Sequence, residues 1–348
     1  MEPSPNDPSA GLVDWQRAAA IAGRLATPGP TAERGQLESL VDELRDAAGR
    51  AADHVAAITQ LAAADGADPK DVSNVVVVDR PGWARANAEM FGVMTDGVEV
   101  PKGGQGARVG GAVQVGGVLA LLSSKVLGQF DPFTPQHLYT GRLLLVAPNV
   151  LHHERKLKVD ASDFRLWVAL HEQTHAMQFA AAPWLAEHLR SRASELLADL
   201  TGDAARPDLV ASVTRALGDG GGILEALSPR QRIVFEEVGA VMSVLEGHAD
   251  VTMDEVGPSV VPTVRAIRKA FDARRDQVSK ARGLDRVLRR VLGLDAKLAQ
   301  YRDGAKFVRE VRRSVGTAGF NAVFASPENL PLPQEIADPR AWVRRVHA

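Results

Sequence analysis

Two histidines four residues apart constrain this chain more than any other feature. In HEQTH (171–175) they share one face of a helix, one turn apart, so His171 and His175 can both present a nitrogen to a single ion. Two ligands do not complete such a site, because an ion of the zinc type takes three protein ligands and keeps a position for water. A fold that uses the motif must therefore carry a third ligand in from a distant segment. Phe164, Trp167, Val168 and Leu170 precede the motif. The helix is thus a packed one, and polar side chains in its middle need a reason to be there. Glu172 follows the first histidine and is placed to take a proton from a water held at the ion.

The chain has no cysteine among its 348 residues. Thiolate ligands, disulfides and thiol catalysis are excluded, and the metal must be held by His, Asp or Glu. A third histidine in the compact HExxHxxGxxH arrangement is excluded too, since Gln178 stands at the glycine and Ala181 at the histidine position. A carboxylate from a later helix remains. Ser228-Pro229-Arg230-Gln231 predicts a helix start, with Ser as N-cap, Pro in the first turn and Gln closing a capping box; the helix stops before Pro258. Within it, Glu246 and Asp250 share a face.

Glu246 as third ligand completes the metal set, with Asp250 orienting a ligand histidine, expected to be His171, through its other ring nitrogen. Gly247 is expected to let the two helices approach closely. Glu236 and Glu237 rank below Glu246 because Ala240 and Val241 stand four residues after them. His248, roughly 200° around the helix from Glu246, is expected to face away from the metal.

Elsewhere, residues 1–10 are polar and proline-rich and read as a flexible N-terminal tail, with 11–348 as one domain. Trp15 to about Ala64 has helical periodicity broken at Pro28 and Pro30. Asn74–Asp79 reads as a buried strand, with Arg80–Trp83 as a turn leaving it. The glycine-dense stretch 102–127 matches neither phosphate-loop spacing and reads as a helix with small residues. Arg142–Asn149 reads as a second strand, which Pro148 places at, or ending near, a sheet edge. The pair His152-His153 after it reads as a solvated turn.

A net charge of −2 offers no general attraction to nucleic acid or anionic membranes. The short Arg pairs at 274–275, 289–290 and 312–313 read as solvated helix faces. With no signal segment and no apolar stretch long enough to span a bilayer, the expected location is cytoplasmic.

HExxH followed by Glu246-x-x-x-Asp250 resembles the gluzincin, or thermolysin-like, branch of zinc peptidases, although the 71 positions between His175 and Glu246 exceed thermolysin's separation. A closer resemblance covers nearly the whole chain. VDRPGWARAN (78–87), VLGQFDPF (126–133), LLLVAPN (143–149), FRLWVALHEQTHAMQF (164–179), PWLAEHL (183–189), LEGHADVTMDEVGP (245–258), LGLDAKLAQYRDGAKFV (292–308) and AWVRR (341–345) are similar to a bacterial family of zincin-like hydrolases. Its members are often labelled zinc-dependent metalloproteases, and one branch is labelled as associated with coenzyme F-420 biosynthesis.

The resemblance implies an α+β, predominantly helical, zincin-like metalloprotease fold with a small sheet. The expected activity is metallopeptidase hydrolysis of a peptide or amide bond, with one Zn2+ per chain on His171, His175 and Glu246 and with Glu172 as general base. Tyr301, in the shared YRDGAKF stretch, is the candidate oxyanion donor. The strand at Arg142–Val146 is expected to act as the substrate-binding edge. The alternatives are a non-proteolytic metal-binding accessory protein and a small-amide hydrolase linked to coenzyme F-420. No nucleic-acid or membrane partner is expected.

Overall fold

The apolar run Leu143-Leu144-Leu145-Val146 has no polar alternation, as expected of a strand covered on both faces. In the computed structural model, which describes residues 13–96, 105–201, 227–279 and 294–347, it is the middle of a three-stranded sheet. The strands are β1 (Ser73–Val78), β2 (Gly128–Asp131) and β3 (Gly141–Val146), in the order β1-β3-β2. β1 runs parallel to β3 with Ser73 opposite Gly141, and β2 runs antiparallel to it with Asp131 opposite Arg142. Side chains alternate across a strand. Leu143 and Leu145 accordingly join one hydrophobic cluster, while Leu144 and Val146 join another.

Helices supply the rest: α1 (Trp15–Leu25), α2 (Arg34–Thr59), α3 (Arg80–Met94), α4 (Gln105–Leu122), α5 (Ala147–Leu157), α6 (Ala161–Ala181), α7 (Trp184–Thr201), α8 (Pro229–Glu255), α9 (Val264–Ser279) and α10 (Leu294–Phe320). Two short C-terminal helices follow at Pro333–Ala337 and Pro339–Val346. α1, α3 and α4 cover the Leu144 side of the sheet; α2 and α6 cover the Leu143 side. The expected α+β, predominantly helical architecture with a small sheet is what the chain adopts. Among the described residues, no helix is long and apolar enough to cross a membrane. The expected N-terminal tail, residues 1–10, lies outside the described residues.

Four local expectations are corrected. β3 is the central strand rather than an edge, and it ends at Val146 because Pro148 sits in the first turn of α5, where its missing N–H costs nothing. The edge beside α6 is β2, a four-residue strand too short to announce itself by periodicity. Arg80–Trp83 starts a helix instead of a turn, with the Asp79 carboxylate accepting from Gly82 N–H at 2.6 Å. His152 and His153 lie on α5, and His153 is buried.

The start of β2 is held by a buried polar knot. Asn149 donates to the carbonyls of Ser123 at 2.7 Å and Val126 at 2.6 Å, and its own carbonyl accepts from Arg80 Nε at 2.7 Å. The end of β2 is tied to β3 by the cross-strand pair Arg142 Nε–Asp131 Oδ2 at 2.9 Å.

α8 and α10 meet through backbone contact. A Cβ at Gly247 would strike the backbone of Gly304, and one at Gly304 would strike the Ser243 carbonyl. Gly247 therefore does permit a close approach, but to α10 and not to the HExxH helix. Gly304→Val is expected to destabilise the fold by about 3 kcal/mol through overpacking, read as a lower denaturation midpoint at unchanged slope.

Candidate metal centre

α6 begins at Asp160, whose carboxylate accepts from Asp163 N–H at 2.9 Å. It is then buried on nearly every side, as a helix through the middle of a protein must be. Its rotation is fixed from both flanks. Gln173 accepts from Ser73 Oγ at 3.2 Å and donates to the Ala48 carbonyl at 3.0 Å, locking one side to β1 and α2. On the other side Gln178 donates to the Leu245 carbonyl of α8 at 3.0 Å. That rotation aims His171 and His175 at α8. The α8 helix starts at Ser228 with the expected capping box, Ser228 Oγ accepting from Gln231 N–H and Gln231 Oε1 from Ser228 N–H.

His171, His175 and Glu246 meet there, each offering one ligand atom, and these atoms lie within 4.8 Å of one another. His171 Nε2 is 3.4 Å and His175 Nε2 is 3.9 Å from Glu246 Oε2, and the two Nε2 atoms are 3.2 Å apart. Among the described residues this is the one cluster of three such groups. Glu237 lies away from it, 3.7 Å from Arg192.

Electrostatics favour a cation at this point. Burial alone would push His171 down, yet its hydrogen bond to Glu246 and the charges of Glu172, Glu246 and Asp250 hold it up at about 9. His175 is lowered, first by burial and then by the neighbouring His171, against the opposing pull of Glu246 and Gln178. Two converging imidazole nitrogens and a carboxylate, without thiolate, form a donor set that suits a divalent ion of the zinc type.

Glu172 lies between the cluster and β2. Burial and the nearby Glu246 charge raise its carboxyl to about 7, against the His171 charge and a hydrogen bond from the Phe130 backbone N–H. The room for it comes from Gly128: a Cβ there would fall 2.6 Å from Glu172 Cγ and 2.8 Å from Oε1. Gly128 and the Phe130 amide contribute to the site without belonging to the motif.

Asp250 does not orient His171. It accepts from Arg268 at 2.9 Å, and Arg268 also donates to the Asp250 carbonyl at 3.2 Å, so the guanidinium from α9 takes the place expected for a histidine. The Nδ1 of His171 instead faces Met253 Sδ at 3.2 Å. Arg268 also pairs with Asp254 and lies 5.4 Å over the Trp167 ring. His248 points away from the metal cluster, as expected, into a fully buried place against Phe320 and Phe324. Tyr301 falls on α10, but its side chain lies outside the described residues.

A cleft of about 360 Å3 opens onto His171, Glu172 and Glu246, walled by Lys125, Leu127, Trp167, Met253, Arg268 and Phe271. It has the size and mixed lining of a small-ligand site.

No curated protein matches the chain. A crystal structure of a candidate hydrolase with a novel fold from Chloroflexus aurantiacus is similar at 29% identity and a TM-score of 0.67, covering 97% of this chain and 99% of that one. The profile of the zincin-like metallopeptidases matches residues 13–343, nearly the whole length. With two histidines and a glutamate converging beside a buried carboxyl, the chain belongs to the zincin-like metallopeptidase family.

Proposed function

We propose that this protein is a zinc-dependent hydrolase of peptide or amide bonds, with one zinc held by His171, His175 and Glu246. The observation that carries the reading is Glu172: a purely structural metal site needs ligands, yet here a buried carboxyl with a pKa near 7 stands beside the three of them. When bound, zinc supplies a Lewis acid for the substrate carbonyl and makes water acidic enough to attack at neutral pH. Glu172 takes the proton of the attacking water and delivers it to the leaving nitrogen. Its position is set by Gly128 and the Phe130 amide, so the base stands ready before substrate arrives.

The β2 edge supports a peptide as substrate. Val146 N–H bonds the Leu127 carbonyl at 2.9 Å, which by antiparallel alternation turns the backbone groups of Gly128 and the Phe130 carbonyl away from β3, while the Phe130 N–H on the same edge is held by Glu172. An extended peptide can pair along that edge, with one side chain in the cleft between Trp167 and Phe271. The cleft volume also suits a compact amide, which is the second reading.

The test is zinc content by elemental analysis together with cleavage of a peptide library, using Glu172→Gln as the control. About one zinc per chain and Glu172-dependent cleavage support the proposal. A protein that stays metal-free after reconstitution refutes it, and loaded protein that cleaves only small amides moves the substrate to the second reading. Gly128→Ala is expected to retain zinc but lose activity about 10²-fold, because the added methyl displaces Glu172. Metal content and kcat/KM measured together separate the two effects.

A further inference from the structure

Gln178 lies one turn beyond His175 on α6 and is fully buried. Its amide has a single allowed orientation. Nε2 is 3.0 Å from the Leu245 carbonyl, which can only accept, so the NH2 end must point there. The second N–H of that group meets His248 Nδ1 at 3.2 Å, making this ring nitrogen an acceptor. The amide oxygen is left facing His175 Nδ1 at 2.9 Å. An amide oxygen can only accept, so His175 Nδ1 must carry a hydrogen. A neutral imidazole has one N–H, and Nε2, the atom turned toward His171 and Glu246, is then the bare lone pair that a metal needs.

We propose that Gln178 is a positioning residue for His175: braced by Leu245 and His248, its amide fixes the ring's tautomer and orientation before any metal binds. The device explains a second feature. His248 Nε2 is buried and has no hydrogen-bond partner, an unfavourable arrangement for a polar atom. Accepting at Nδ1 from Gln178 forces the hydrogen of His248 onto that Nε2. The isolated N–H thus follows from the brace, and Phe320 and Phe324 hold the ring in place around it.

The brace is also neutral. His175 is oriented by an amide and His171 faces a thioether, so neither ring is backed by the carboxylate often found behind a metal-binding histidine. Less negative charge is pushed onto the site through the rings than such a carboxylate would supply.

The inference rests on the metal-site reading but is tested without metal. In metal-free protein labelled with 15N-histidine, the His175 signal is identified by its absence in His175→Ala, and its nitrogen shifts report the tautomer. Wild type is expected to show Nδ1–H with bare Nε2. Gln178→Leu should lose that preference and bind zinc about 10–100-fold more weakly in chelator competition. Gln178→Glu loses the brace on Leu245 and His248 but keeps an acceptor facing His175, so it should keep the hydrogen on Nδ1, which a volume effect alone does not predict. A wild-type His175 found as Nε2–H overturns the proposal, whether or not the variants fold. So does a folded Gln178→Leu with unchanged tautomer and zinc affinity. Absence of peptide cleavage with the tautomer as expected refutes the peptidase reading and leaves this one standing.

Discussion

Glu172→Gln is expected to lower kcat/KM by about 10³-fold while zinc stays bound at wild-type stoichiometry, the range a single positioned proton-transfer group accounts for. Glutamine has the same shape and fits the same space against Gly128, so the buried site need not rearrange. It cannot take a proton. Metal content and circular dichroism should therefore match wild type, and the loss should fall on kcat more than on KM. In the wild type the acid limb of the pH–rate profile should lie below about 7, because a bound dication lowers the Glu172 value from that of the metal-free site. A variant that keeps full activity removes Glu172 from the reaction, and with it the observation that carries the hydrolytic reading of this site.

The second large effect concerns the ligands. Glu246→Ala is expected to weaken zinc binding on the order of 10³-fold, more than the roughly 10–100-fold that follows loss of an outer partner. His171→Ala should do the same and should also remove the pH dependence of binding between about pH 7 and 9. Metal-free His171 keeps its proton up to about pH 9, and the metal must displace it. Zinc affinity should thus rise about tenfold per pH unit between about pH 7 and 9. The sign for folding follows from the same group. Its folded value is raised above the ordinary 6.5, so its stabilising contribution to metal-free protein is complete below 6.5 and is lost as pH rises through about 9. Melting curves with and without zinc should diverge over that interval, with the metal-free form becoming the weaker. Parallel curves would mean that the metal binds elsewhere.

Both helices that meet at the centre are legible in the sequence, one from the chemistry of its end and the other from the spacing of its motif. The Ser228–Gln231 capping box marks where α8 begins, and the four-residue spacing of His171 and His175 marks the face of α6. The third ligand follows from the absence of cysteine and of a third histidine in register. Asp250 is assigned wrongly because spacing on one helix says nothing of what a different helix brings: Arg268 arrives from α9 and makes a charged contact at two points. Gln178 is visible as a residue but reads as a mismatch to another pattern, and its role appears only when Leu245 and His248 are in place. β2 escapes because four residues cannot establish a period, and the value of Gly128 lies in the side chain that occupies its missing volume.

The enclosure of α6 by α2, α8, β2 and β3 has a consequence for how long a metal stays. A helix buried on nearly every side is expected not to fray or swing out on its own, its amides exchanging only with opening of the whole domain. Release is left to the cleft, at a rate set by how fast water and competing ligands enter past Trp167 and Arg268. Zinc held as proposed should exchange slowly at temperatures well below melting, and its release should quicken with the concentration of a chelator small enough to enter the cleft.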